Sequence, residues 1–308
     1  MSVNGQQSQV VRGLGHGSAL YDGERQGAAA RHHRSNMLPV DPSADDASSL
    51  LTLVERSAAR LLTALAGLDA RELDAASLLA GWSRRTIAAH LAFVATAYQR
   101  MTLDALAGRP TTTYPGGRAE RERSLRSLDG LPPADVCDRV RATAAGLLTR
   151  WRGLDREEWV RRLHGEPVGP MALSRLLTLR ATELEAHHVD LGTGHTTRSW
   201  PAGFVAACLP LRVAWLGPHH RSRRDADLGI DGRWLLRATD LGHAWVVEAS
   251  GRTVRCDAAA ADDRGDAVLA GPAADLLAFL VGREPAQPLE LTEDQALAAA
   301  FKRAFPGP

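Results

Sequence analysis

The segment TELEAHHVDLG, Thr182 to Gly192, holds two glutamates, two adjacent histidines and an aspartate. Glu183 and His187 are four residues apart. On a helix this spacing puts both side chains on one face, with Cβ atoms about 5–6 Å apart, close enough to share one metal ion. His188 is rotated about 100° from His187 by helix geometry, and Glu185 also lies off that face; both read as helix-face residues. Asp190, three residues after His187, is placed to accept a hydrogen bond from the second ring nitrogen or to cap the local structure. Taken alone, such a pair on a helix is more often a surface contact than a metal site.

A further ligand has to come from another helix. In TIAAHLAFVA, Ile87, Leu91 and Val94 mark the core-facing side, and His90 lies at its edge among apolar neighbours. A histidine there serves either as a core residue bonded to a backbone carbonyl or as an inward-facing ligand. Brought against Glu183 and His187, it completes two imidazoles and a carboxylate. Catalytic zinc uses sets of this type and keeps a fourth position open.

The elements that must position these residues start at Asp45. SLLTLVERSAARLLTALAGL repeats apolar residues at helical spacing, with Gly67 as a stop. LLAGWSRRTIAAHLAFVATAYQRMTLDALAG follows, a Gly-Trp turn with Ser83 as N-cap and then about 25 helical residues. The polar stretch RPTTTYPGGRAERER reads as a long loop running into another helix. PPADVCDRVRATAAGLLTRWRGL and GPMALSRLLTLRATELEAHHVDLG give two more long helices, the last closed by Gly192. These patterns predict an α-helical four-helix bundle over residues 45–217. Within it, TTRSWP leads to one more apolar helix over 202–216. Beyond that, RWLLRATD, HAWVVEAS and RTVRCDA alternate like strands, while GPAADLLAFLVGRE and TEDQALAAAFKRAF read as short helices. A small α+β domain over 218–308 is expected. Residues 1–44 show no sustained periodicity and read as a disordered tail, or as an upstream extension if translation begins at Met37. The HHRS at 32–35 belongs to that solvated tail.

Composition narrows the function classes. The 308 residues carry 37 basic and 36 acidic side chains, a formal net charge of +1, which gives no basis for a nucleic-acid partner or an anionic membrane surface. Cys137, Cys208 and Cys256 are scattered, with no CxxC pair, which argues against a disulfide framework and a cysteine-rich zinc site. No apolar run reaches the roughly 18 residues of a membrane span, and the N-terminus lacks the apolar core of a signal peptide. A reduced, cytoplasmic protein is expected. Arginine supplies nearly all the basic residues, Lys302 being the only lysine, the mark of a GC-rich, actinobacterial genome.

LLAGWSRRTIAAHLAFV, TYPGGRAERER, LRATELEAHHVDLG with WP soon after, and VLAGPAADLLAFLVGRE resemble, in that order, motifs of the mycothiol-dependent maleylpyruvate isomerase family. The resemblance spans roughly residues 47–285, and Trp82 and Tyr114 also match its pattern. It implies a DinB-like N-terminal four-helix bundle that binds a divalent metal, usually zinc, and a C-terminal α+β domain similar to sterol carrier proteins. It implies His90, Glu183 and His187 as the metal ligands, the trio assembled above from spacing. It further implies mycothiol as the thiol cosubstrate: metal coordination stabilises its thiolate, which adds across the cis double bond of maleylpyruvate. Rotation and elimination then give fumarylpyruvate.

A substrate with two carboxylates calls for arginines facing the metal. Arg180, one turn before Glu183, and Arg237 and Arg255, in strand-like segments, are the candidates; each also has a plain role, pairing with a nearby acid or pointing to solvent. Trp82 reads as a packing anchor for the Gly-Trp turn. Two other functions stay open. One is a mycothiol S-transferase acting on a different electrophile, in detoxification or natural-product biosynthesis. The other is a non-enzymatic metal- or ligand-binding module, which the open fourth position disfavours because structural zinc normally has its coordination closed by protein.

Overall fold

The computed structural model describes residues 41–164, 171–217, 230–251 and 253–305. Long helices α1 (Ala47–Ala66), α3 (Arg84–Leu106), α5 (Pro133–Arg152) and α7 (Arg175–Asp190) alternate with short α2 (Ala70–Asp74), α4 (Gly117–Leu125) and α6 (Arg156–Trp159). Helix α1 packs against α5 and α7, and α3 packs against the same two, so the four close around a shared core. Local chemistry sets the starts. Ser83 accepts a hydrogen bond from the Thr86 amide, satisfying one of the donors that a helix start leaves unpaired. Pro133 opens α5, where a missing N–H costs nothing. Trp151 on α5 is fully buried, and its Nε1 donates to Thr102 Oγ1 on α3 at 3.0 Å.

A two-stranded pair, β1 (Arg162–Leu163) and β2 (Met171–Ala172), precedes α7. After α8 (Ala202–Ala214) come β3 (Gly232–Ala238), β4 (His243–Ser250), β5 (Thr253–Ala258), β6 (Ala267–Gly271) and β7 (Glu290–Glu293). They form a sheet in the order β5-β4-β3-β6-β7, in which β3 and β6 are parallel and the other neighbours antiparallel. Helix α9 (Ala273–Leu280) packs on α8 and β3, and α10 (Gln295–Ala304) packs on β6 and β7. Alternation divides the sheet. Trp234, Leu236, Trp245, Val247 and Leu269 face the same core as the helices, whereas Leu235, Val246 and Val268 form a smaller cluster on the other side. The helical part and the α+β part therefore share one apolar core.

The three strands expected from alternation are β3, β4 and β5. Strand β6 gave no such signal because all its residues are buried, and β7 is a four-residue strand at the sheet edge. The helix expected from Gly169 begins only at Arg175, after β2. Residues 41–44, expected in the tail, lie against the fold: Ser174 Oγ donates to the Pro42 carbonyl and Arg162 to Asp41, both at 2.8 Å. Residues 1–40, with their HHRS, and the expected boundary near residue 218 lie outside the described residues. Among the described residues no helix is long and apolar enough to cross a membrane.

The Trp151–Thr102 contact gives a graded stability test. Trp151→Ala empties a buried indole site and is expected to cost about 3–5 kcal/mol. Thr102→Val leaves the indole N–H without its partner and is expected to cost about 1–3 kcal/mol. Urea unfolding of the full chain measures both, and the order of the two variants checks the assignment.

Candidate metal centre

Helices α3 and α7 supply the site. His90 Nε2 lies 2.9 Å from Glu183 Oε2, and His187 Nε2 lies 3.2 Å from the same oxygen. One ligand atom from each of the three residues falls within 4.8 Å of the others. Both histidines are buried, while the Glu183 side chain is 30% exposed, so the trio has one open side. The imidazoles stand edge to face with centroids 4.9 Å apart, and Trp82 stacks parallel to His187 at 6.0 Å. Trp82 is held there by its turn. Gly81 adopts φ +79°, a conformation other residues reach only with strain. The Trp82 amide donates to the Leu79 carbonyl at 3.0 Å. The turn itself is fastened to the end of α7, where the Leu78 amide donates to the Asp190 carbonyl and Arg84 Nε to the Leu191 carbonyl.

The surroundings of His187 fix its proton. Its Nδ1 lies 2.8 Å from Asp190 Oδ2, and Arg283 donates to both Asp190 oxygens, from Nε at 2.8 Å and from Nη2 at 2.7 Å. A ring that donates from Nδ1 to a carboxylate keeps the Nε2 lone pair free for a ligand role. Burial alone would lower the His187 pKa; Asp190 and Glu183 outweigh it and raise the value. Burial alone would raise that of Glu183, but His90 and His187 hold its carboxyl well below the usual range. Arg283 reaches Asp190 because Gly282, at φ +74°, ends α9 in a left-handed turn. The Arg283 amide then donates back to the Ala278 carbonyl at 2.8 Å.

The donor set fits a divalent cation. Two imidazoles and one ionised carboxylate converge, and His187 has its second nitrogen anchored on Asp190.

The cavity over the trio has a volume of about 200 Å³, and its walls include Leu79, Trp82, Arg121, Val281 and Arg283. The arginines expected here lie elsewhere. Arg180 is fully buried, its Nη1 donates to the Leu91 carbonyl at 3.1 Å, and burial lowers its pKa to about 10. Arg237 is exposed on β3, and Arg255, exposed on β5, sits 3.7 Å from Asp257. None of the three lines the cavity. Arg121 comes instead from the polar GGRAERER stretch, its guanidinium carbon 5.7 Å from the Trp82 ring centre. Arg283 sits in the LVGRE motif, which carried the resemblance without being singled out. Tyr114 stacks on Phe93 at 4.9 Å, and burial raises its pKa.

Glu185 and His188, read as helix-face residues, are both buried on the other side of α7. Glu185 accepts from Ser57 and Arg60 of α1 and pairs with His195 Nε2 at 3.2 Å. His188 stacks on His195 at 3.8 Å, and burial lowers its pKa to about 4. The cysteines are free thiols; Cys208 is buried, which raises its pKa to about 12, and none lines this cavity.

Comparison with known proteins places this geometry in a lineage. No curated protein matches the chain at significant similarity. Two solved structures share its fold: a mycothiol-dependent maleylpyruvate isomerase and a histidine-to-alanine mutant of that enzyme. Each is 20% identical with a TM-score of 0.62, covering 82% of this chain and 95% of the other. The alignment thus reaches past the helical part into the sheet. Residues 19–192 match the family profile of the mycothiol maleylpyruvate isomerase N-terminal domain, a span that contains His90, Glu183 and His187. With more than half of its length so matched, the chain belongs to the mycothiol maleylpyruvate isomerase N-terminal domain family.

Proposed function

We propose that this protein is a metal- and mycothiol-dependent enzyme that converts maleylpyruvate to fumarylpyruvate by addition and elimination of the thiol. The observation that carries the reading is the convergence of two imidazoles and a carboxylate beneath a small cavity walled by two arginines. The closed ring of α1, α5, α3 and α7 supports a DinB-like four-helix bundle, and the mixed sheet with its helices supports a sterol-carrier-like C-terminal part. His90, Glu183 and His187 would hold the ion, with zinc the metal that best suits such donors. A bound divalent ion supplies the Lewis acidity that keeps a thiol deprotonated near neutral pH.

The remaining work falls to the chain. Asp190 holds the His187 proton at Nδ1 and so keeps the Nε2 lone pair free toward the centre. Arg283, with Nε and Nη2 on Asp190 and Nη1 on the Val281 carbonyl, is a fixed positive charge in the cavity wall. Arg121 is exposed and so can swing onto a carboxylate. Arg121 is the wall cation set to meet a substrate carboxylate, because Arg283 is already ion-paired with Asp190. Trp82 and Val281 bring apolar surface to the cavity wall, which limits the water around the reacting thiol.

Incubation of the protein with mycothiol and maleylpyruvate, following fumarylpyruvate, tests the proposal. Turnover is expected, and His90→Ala should lower it more than about a hundredfold, beyond the 10–100-fold typical of losing a residue behind a ligand. Thiol consumed without fumarylpyruvate would replace the isomerase reading by the S-transferase one; equal turnover by His90→Ala would refute the site. Arg121→Ala is expected to raise KM for maleylpyruvate roughly ten- to a hundredfold, the worth of one charged hydrogen bond. Steady-state kinetics with mycothiol held saturating reads that shift.

A further inference from the structure

The C-terminal end of α9 gathers more positive charge than a helix end requires. Gly282 already closes the helix in a left-handed turn, its amide donating to the Phe279 carbonyl at 3.2 Å and the Arg283 amide to that of Ala278. The last turn of α9 has no basic residue of its own. Cations nonetheless reach three successive carbonyls there, each from a different place in the chain. Lys302, in the last turn of α10, donates to the Phe279 carbonyl, and its ammonium lies 4.5 Å from the Phe279 ring centre. Arg212 of α8 donates to the Leu280 carbonyl from Nε at 3.2 Å and from Nη2 at 3.1 Å. Arg283 itself donates from Nη1 to the Val281 carbonyl at 2.8 Å.

Holding these charges together is unfavourable. Lys302, the one lysine of the chain, is half-buried; burial, then repulsion from Arg212 and Arg283, lowers its pKa to about 8. Burial likewise lowers that of Arg212 to about 10. Among the described residues, the one carboxylate ion-paired to any of the three is Asp190, on Arg283. Helix-end carbonyls and the face of an aromatic ring are what offset the charge of Lys302. Closing the helix does not call for two further cations, because the glycine turn has done so. What Lys302 and Arg212 add is position. Phe279 and Leu280 lie four and three residues before Arg283, on the turn from which Arg283 reaches Asp190, and the two cations tie that turn to α10 and α8.

We infer that Lys302 is a positioning residue for the metal centre, holding the end of α9 so that Arg283 stays on Asp190 and Asp190 stays on His187. Lys302 does not line the cavity over the trio. Its effect travels through linked contacts: Lys302 to Phe279, the turn to Arg283, Arg283 to Asp190, and Asp190 to His187. The charge of Lys302 acts, not its bulk. This role rests on the reading of His90, Glu183 and His187 as a metal site.

The test is the cobalt(II) affinity of the metal-stripped full chain, with urea unfolding to establish that each variant is folded. Lys302→Met keeps the stem without the charge and is expected to weaken cobalt binding roughly tenfold, the low end for a residue acting behind a ligand. Lys302→Arg, which keeps the charge, is expected to restore most of the affinity. In an Asp190→Asn background the chain of contacts is already cut, so adding Lys302→Met is expected to have no further effect. Should Lys302→Met fail to fold, acetylation of the folded wild type takes its place. The one ε-amine then loses its charge without a substitution, and the same roughly tenfold weakening is expected. Lys302→Arg treated in the same way controls for the N-terminal amine. Unchanged affinity on loss of the lysine charge, or additive losses in the double variant, would overturn the inference and leave the metal site standing. No saturable binding by the wild type would remove the site itself and this role with it, so the two failures are distinguishable.

Discussion

Helix α7 is packed between α1 and α3 and yet carries charged residues on opposite faces. A buried charge is costly unless paired and hydrogen-bonded, so each of these side chains dictates what must be opposite it. Toward α3, Glu183 and His187 require His90, and His187 in turn requires Asp190. Toward α1, Glu185 requires Ser57, Arg60 and His195. The apolar residues between them, Leu176, Leu177, Ala181 and Leu184, fill the core. The helix cannot rotate or slide without breaking one set of partners, which is how a four-residue spacing becomes a fixed arrangement of side chains.

The second consequence is that the sheet-bearing part of the chain is not a passive attachment. Arg283 lies ninety-three residues beyond Asp190 yet grips both of its oxygens. The turn at Gly282 that aims it is set by the end of α9, and α9 is seated on α8 and β3. A displacement of the sheet would therefore be felt at His187 through one carboxylate. This explains why a helical half containing every candidate ligand is still joined to the sheet through a common core.

How much of this could be read in advance depends on distance along the chain. Glu183 and His187 were legible because helix geometry is local, and His90 because a polar residue at the edge of an apolar face stands out. The buried partners of Glu185 are not legible in the sequence: the packing of α1 brings Ser57 and Arg60 to it, and the chain beyond α7 turns back to bring His195. The arginines show the same limit. Arg180 stands one turn from Glu183 in the sequence, but that turn points it at the Leu91 carbonyl. Arg237 and Arg255 followed strand alternation and face outward, whereas Arg121 and Arg283 reach the cavity from an exposed polar helix and from a helix-ending turn. Strand β6 is illegible for a related reason, since a strand buried on both faces loses the alternation that marks strands in a sequence.

His90, Glu183 and His187 are proposed to act together as one divalent-cation site. Titration of the metal-stripped full chain with cobalt(II), followed by visible absorption, tests this most directly because the ligand-field bands report both stoichiometry and coordination. Saturation at a single equivalent is expected, with the intense bands of a low-coordinate nitrogen and oxygen environment, and their loss in Glu183→Gln. Absence of saturable binding in the wild type, or an unchanged spectrum and stoichiometry in Glu183→Gln, would contradict it.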